Sequence, residues 1–287
     1  MINSLCLYFK SCRMLIRSQM QYRASFLMQT FTQLVMMVTE LLAVLILMDR
    51  FSVLGQWNRG EILFFFGVIS TSFYLCECFA RGITQFPPLI AQGDLDSMLI
   101  RPRGVLFQVI CSRADPRRFG AILIGVLALI LGSVSAQIHW TSFKMLLLIW
   151  TILGGMALVC GLFLIEATLS FFSVKRIELV NILTYGGRST CQYPIDIYPR
   201  GLQLLFTLVA PFALTTHLPT AYILDKPLWG AGAGWSLLAP LSGFAFLGLM
   251  TFVFYRGLRR YRSTGSGLHG LLFHRGHCAA ARGLPRE

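Results

Sequence analysis

The sequence is short of charge. Asp, Glu, Lys and Arg make up 13% of its 287 residues, about half of the quarter that soluble domains carry. Acidic residues are the scarcest: 12 stand against 25 basic ones, for a formal net charge of +13. The four lysines, at 10, 144, 175 and 226, never follow a glycine. The Gly-Lys-Ser/Thr of a P-loop therefore does not occur, and the chain has no Walker site for ATP. No histidine precedes a glutamate, which removes the His-Glu-x-x-His pattern of zinc proteases. The first residues lack the basic, apolar and small-residue order of a cleaved signal, so a retained N-terminal segment is expected. Apolar stretches are continuous rather than alternating with polar residues, which argues against a β-barrel. What fills the chain instead is grease: 55% hydrophobic residues, with 23 Phe. A soluble enzyme and a disordered basic protein are both excluded. So is a nucleic-acid binder, because the basic residues sit in short segments between apolar runs, where they orient a membrane protein.

Six apolar runs are long enough to cross or nearly cross a bilayer. They cover residues 26–48, 62–80, 119–135, 145–172, a stretch from about 202 that Pro211 and Pro219 interrupt, and 235–255. Counting basic residues between them gives a one-sided pattern. Four precede the first run, six separate the second from the third, four separate the fourth from the fifth, and seven follow the sixth. The other side keeps only Arg50, Arg59, Lys144 and Lys226. Because cytoplasmic loops retain Lys and Arg, the expected fold is an all-α membrane protein of six transmembrane helices with both termini inside. Residues 1–25 form a cytoplasmic amphipathic segment, 26–258 the membrane domain and 259–287 a basic cytoplasmic tail. In the first of these, Leu5, Tyr8, Phe9, Cys12, Leu15 and Ile16 recur at helical spacing among Lys10, Arg13 and Arg17. Such a helix either lies along the membrane surface or extends the first span into water. None of the eight cysteines falls in an exported loop, so no structural disulfide is expected.

The stretch Gly93-Asp94-Leu95-Asp96-Ser97-Met98-Leu99-Ile100-Arg101-Pro102 resembles the Gly-x-Leu-Asp/Glu-x-Leu-x-x-x-Pro signature of ABC-2-type permeases, the membrane subunits of one class of ABC exporters. Tyr185-Gly186-Gly187-Arg188, with Gln192-Tyr193-Pro194-Ile195-Asp196-Ile197-Tyr198, and Arg259-Arg260-Tyr261-Arg262-Ser263-Thr264-Gly265-Ser266 resemble one branch of that family. The resemblance spans about residues 10–266. It implies a transport subunit, not an enzyme, that works with a separate cytosolic ABC ATPase carrying ATP-Mg and binds no cofactor itself. It also implies a second permease copy or paralogue, a bacterial inner-membrane location, a coupling helix between the second and third spans, and a re-entrant segment between the fifth and sixth. Coupling to the ATPase then falls to Gly93, Asp94, Leu95, Asp96, Leu99, Arg101 and Pro102. The re-entrant segment is placed at residues 211–229.

Read without the resemblance, Pro87 and Pro88 can open a short helix that Pro102 ends, and such a helix either docks a partner or only joins two spans. Gly186, Gly187, Arg188, Tyr193 and Pro194 read as a cytoplasmic loop whose glycines permit left-handed dihedrals; Arg188 touches either lipid headgroups or a partner. Glu40, Glu77 and Glu166 lie within apolar runs and are costly enough there to count as functional candidates. Glu77 has Arg81 one turn away, whereas Glu166 is either protonated or meets an arginine from elsewhere. These glutamates also fit an ion-gradient-driven transporter or channel, the second functional class. No metal site is expected. Cys76-Glu77-Cys78 cannot converge from one helix, and His269, His274, His277 and Cys278 lack zinc-ligand spacing.

Overall fold

The computed structural model describes residues 8, 10, 11, 13–15, 17, 18, 21, 23–50, 53–113, 115–171, 180–226 and 232–260. In a bilayer each backbone N–H and C=O must be satisfied within its own segment, and the long apolar runs accordingly become helices. These are α1 (Arg23–Arg50), α2 (Arg59–Thr84), α6 (Phe119–Ser135), α7 (Ser142–Leu169) and α11 (Ala233–Leu258), the last interrupted at Pro240. Five helices are thus long and apolar enough to span. Between α1 and α2 a hairpin pairs β1 (Val53–Leu54) with β2 (Trp57–Asn58). Between α2 and α6 lie three short helices: α3 (Phe86–Gln92), α4 (Asp94–Leu99) and α5 (Val105–Ser112). These two connections mark opposite ends of the bundle, called here the hairpin end and the short-helix end.

Packing sorts the helices. α2 is central and almost wholly buried. Its start is fixed by the Asn58 N–H donating to Glu61 Oε2 at 2.7 Å, one half of a capping box. It runs antiparallel to α6 at very close range, because Gly60 and Gly67 face Gly125 and Gly132 across the seam. A Cβ on Gly67 would lie 2.7 Å from the Leu129 backbone N, and one on Gly132 2.6 Å from that of Phe64. Small residues at such a seam substitute backbone contact for the hydrophobic effect that lipid removes. α7 and α11 meet the same way, through Gly154 against Pro240 and Gly161 against Phe246. The outer helices expose apolar side chains only to the surroundings: Leu27, Met28 and Phe31 on α1, Leu123 and Val134 on α6, Leu249 and Phe252 on α11. This is the surface of an all-helical, multi-pass membrane protein.

The expected fifth span, from about residue 202, is not one straight helix. Residues 180–191 form α8, a π-turn at Ile182–Gly186 continued by α-helix at Gly187–Cys191. The chain leaves α7 at the short-helix end, where Phe171 packs on Phe86 and Phe254. Tyr185 then packs on Phe73, Arg188 on Tyr74, and Asp196 reaches Trp57 at the hairpin end. α8 therefore lies along the path from one end of the bundle to the other. The apolar stretch that follows is a bent pair, α9 (Arg200–Val209) and α10 (Ala213–Ile223), with 88° between its arms. Pro211 causes the bend, since a residue before proline is pushed out of the helical region and Ala210 sits at φ −122°, ψ 89°. Asp196 before the pair and Asp225 and Lys226 after it all contact hairpin-end residues. The segment 200–223 thus starts and finishes at one end of the bundle, and is called here the re-entrant pair; residues 227–229 of the expected re-entrant stretch 211–229 lie outside the described residues.

The described residues between 8 and 18 are helical. The Tyr8 hydroxyl donates to the Phe79 carbonyl at 2.8 Å, so this segment turns back against α2 instead of prolonging α1. Leu5, Phe9, Cys12 and Ile16 of the amphipathic pattern, and the tail motif beyond Arg260 with its histidines and Cys278, lie outside the described residues.

Candidate functional site

The coupling residues form one block on the short-helix end. Pro87 and Pro88 occupy the first turn of α3, where a missing N–H costs nothing. The single helix read from the sequence is in fact two, because Gly93 adopts φ +77° between α3 and α4, a conformation that glycine enters without strain. Leu95 is fully buried beneath α4 and anchors it; Asp94 is exposed, as are Leu99 and Ile100, the last at 86%. Asp94 and Asp96 lie in the first turn of α4. Arg101 and Pro102 form the exposed turn after α4, which Gln108 braces by donating to the carbonyls of Met98 and Arg103, both at 2.9 Å. α5 was not expected from the sequence, although Val105-Leu106-Phe107 and Val109-Ile110 after Gly104 carry the apolar spacing for it.

This block is fastened to the bundle. Gly82 of α2 lies so close to the Val109 carbonyl that no Cβ fits between them. The Asp115 N–H donates to the Cys78 carbonyl at 3.1 Å, and Phe86 packs edge-on against Phe171 and Phe254. The block that carries α4 is therefore in contact with α2, α11 and the end of α7.

Just above lies an ionic cluster. Glu77, buried, accepts from Arg81 at 2.7 Å, the pairing its spacing suggested, and from Arg118 Nη2 at 3.3 Å across 41 residues, for which the sequence carries no signal. Asp115 pairs with Arg117 at 2.6 Å, and Gln33 accepts from Arg118 at 2.6 Å. Glu166 on α7 is buried with Oε2 lacking a hydrogen-bond partner among the described residues. Cys76 meets Cys160 of α7, not Cys78. No group of three or more possible metal ligands occurs among the described residues.

The second motif, expected as a loop, is helical over residues 186–188. Gly186 has φ −64° and Gly187 φ −57°, both helical rather than left-handed. A Cβ on Gly187 would lie 3.1 Å from the Phe206 ring and 3.2 Å from the Phe212 ring, so this glycine lets the re-entrant pair sit against α8. Arg188 is buried inside the bundle. Its Nη2 donates to Glu40 Oε2 at 2.6 Å, and its guanidinium stands 4.8 Å from the Tyr74 ring centroid and 5.2 Å from that of Phe73. Gln192 donates to the other Glu40 oxygen at 2.8 Å. The Tyr193 carbonyl bonds His217 Nε2 at 2.8 Å, and Pro194 opens the turn that delivers Asp196. The physical reason for the misreading is that a helix sheltered by protein can carry Arg, Gln and Thr where a lipid-facing one cannot.

At the hairpin end, three polar ties hold the re-entrant pair. Asp196 accepts from Trp57 Nε1 at 2.9 Å, Lys226 donates to Glu61 Oε2 at 2.8 Å, and Lys144 to Asp225 at 2.7 Å. His217 sits fully buried on α10, stacked on Phe65 at 5.2 Å. None of Lys226, Asp225 and His217 was singled out as a site from the sequence, because each finds its partner only once the pair has folded back.

A family model described as ABC-2 family transporter protein matches residues 34–265, the stretch containing every element from α1 to α11 apart from the first turns of α1. No curated protein matches the chain, and no solved structure does.

Proposed function

The chain belongs to the ABC-2 family of transporter proteins, and from that premise we propose that it is the permease subunit of an ABC exporter in the bacterial inner membrane, driven by a separate cytosolic ATPase that holds ATP-Mg. The observation that carries this reading is α4: a short helix with Asp94 of its first turn and the following Ile100 exposed, pinned underneath by Leu95 and joined through α5 to α2. An exposed apolar and acidic face of this kind suits a groove with basic groups on the partner. The absence of any Gly-Lys pair supports a separate engine. Closure of the ATPase pushes α4, and the push passes through Gly82 into α2 and α6. The pathway opens between this subunit and a second permease copy or paralogue.

In this reading the short-helix end is cytoplasmic. Six crossings, with α8 as the fifth, put both termini on that side, and the hairpin and re-entrant pair face outward. Cysteine introduced as Gln56→Cys or Arg200→Cys is then labelled by a membrane-impermeant thiol reagent added outside intact cells, and Ser97→Cys only after the cells are opened. Labelling of Arg200→Cys from the same side as Ser97→Cys would overturn the re-entrant assignment.

The coupling role is tested by purification. Asp94→Lys combined with Ile100→Glu leaves membrane insertion intact and lowers recovery of the P-loop ATPase by at least about tenfold, as expected when a charge reversal and a buried anchor are both lost from an interface. Full recovery of the ATPase by the double variant would sink the assignment. A second reading, an ion-gradient-driven transporter, rests on the unpartnered Glu166. It predicts that the purified chain moves substrate alone and recovers no ATPase.

A further inference from the structure

Two cavities adjoin at the short-helix end. One, of about 490 Å³, is lined by Leu15, Gln85 and Ser112 and by Arg81, Arg113, Asp115 and Arg117. The other, of about 250 Å³, shares Arg81, Asp115 and Arg117 and adds Arg118 with Gln29, Thr32 and Gln33 of α1. Four guanidinium groups thus face this space, and two carboxylates answer them. Glu77 is taken up by Arg81 and Arg118, and Asp115 by Arg117 and, at 3.9 Å, Arg118. Arg113 is exposed and makes one long contact, 3.5 Å, to Gln85. Among the described residues four guanidinium groups thus face two paired carboxylates, with Glu166 also within electrostatic reach of Arg81, and positive charge remains in excess in this recess among helix ends. Each guanidinium offers five N–H donors in a planar fork, the geometry that matches phosphate oxygens.

The helices that carry the recess expose apolar side chains at the same level: Leu27 and Phe31 on other faces of α1 than Gln29, and Phe119 and Leu123 just after Arg118 on α6. A ligand suited to this arrangement has an anionic head and a hydrocarbon tail. We propose that the recess binds the phosphate of an anionic phospholipid, its headgroup among Arg81, Arg113 and Arg117 and its acyl chains along the α1–α6 face. Basic pockets between membrane helices take anionic headgroups by the same charge logic. The lipid ties α1 to the connection that fastens α4, so its occupancy bears on the block that docks the partner. A soluble anion would satisfy the arginines but make no use of the apolar side chains that α1 and α6 expose at this level.

The full-length protein, solubilised in mild detergent with added phosphatidylglycerol, is followed by native mass spectrometry during stepwise delipidation. The wild type retains one phosphatidylglycerol per chain at detergent levels that strip phosphatidylcholine. Arg113→Gln with Arg117→Gln lowers that retention by about tenfold or more. Arg113→Gln alone, at an exposed position that leaves the unfolding midpoint unchanged, lowers it to a smaller extent. The control Arg256→Gln with Arg259→Gln, basic but outside the recess, leaves it unaltered. Equal retention of the two lipids, or retention unchanged in both recess variants, overturns the site. Displacement by inorganic phosphate as readily as by excess phosphatidylglycerol overturns the lipid as its source.

Discussion

Arg188→Leu is expected to lower the unfolding free energy of the detergent-solubilised protein by about 3 kcal/mol or more, read as the shift in its midpoint of denaturant-induced unfolding. The side chain is 10% exposed and its partner Glu40 28% exposed, on a helix whose other faces are apolar. Removing the guanidinium leaves the Glu40 carboxylate with only the Gln192 amide, and an unpaired charge in such surroundings costs more than the pair contributes when intact. The rings of Tyr74 and Phe73 lose their cation as well. Glu40→Leu added to Arg188→Leu is expected to recover most of the loss, since no orphaned charge then remains. Arg188→Lys recovers less, because an ammonium lacks the planar fork that reaches Glu40 while lying against two rings. A midpoint unchanged in Arg188→Leu, or a double variant no better than the single, would show that the pair does not join α1 to α8 in the way described.

The same pair explains what the sequence could and could not disclose. Five long helices were legible because each carries an unbroken apolar run, on lipid-facing α1 as on buried α2, and that run is written residue by residue. α8 was not, because its buried face is polar: Thr184 and Arg188, with Asn181 and the following Gln192, give the segment the composition of a loop, and Arg188 and Gln192 are satisfied by Glu40, some 150 residues earlier. The re-entrant pair erred in the opposite direction. Its leucines and phenylalanines gave α9 and α10 the hydropathy of a span, while the ties that turn it back, Asp196 to Trp57 and Lys226 to Glu61, are long-range. In the proposed topology Arg188 and Arg200 leave the cytoplasmic count, because Arg188 lies within the fifth crossing and Arg200 beyond it. The coupling block was legible in identity but not in shape. Pro87, Pro88, Gly93 and Pro102 punctuate it locally, whereas its attachment to α2 depends on a contact between Gly82 and Val109 that no spacing reveals.

That contact carries the second large effect. Gly82→Ala is expected to raise the rate of amide hydrogen exchange in α5 by about thirtyfold, equivalent to roughly 2 kcal/mol of lost local stability. A methyl at this position would overlap the Val109 carbonyl oxygen and lie 2.8 Å from its carbon. Both atoms are backbone, so no rotamer change relieves the overlap and α5 must move away as a unit. Overpacking of this kind typically costs 1–3 kcal/mol. The displacement would loosen the brace that Gln108 gives the turn after α4, while the α2–α6 seam, held by Gly60, Gly67, Gly125 and Gly132, lies further along the helix and should keep its protection. Gly248→Ala on α11 is the matching control, because a Cβ there meets nothing within 4 Å. If ATPase recovery persists in Gly82→Ala while exchange in α5 accelerates, α4 docks the partner independently of its tie to α2, and transport should then fail for want of a rigid link. Exchange in α5 indistinguishable from the wild type would mean that the short helices are not clamped to the bundle at Gly82, and a push on α4 would have no direct route into α2.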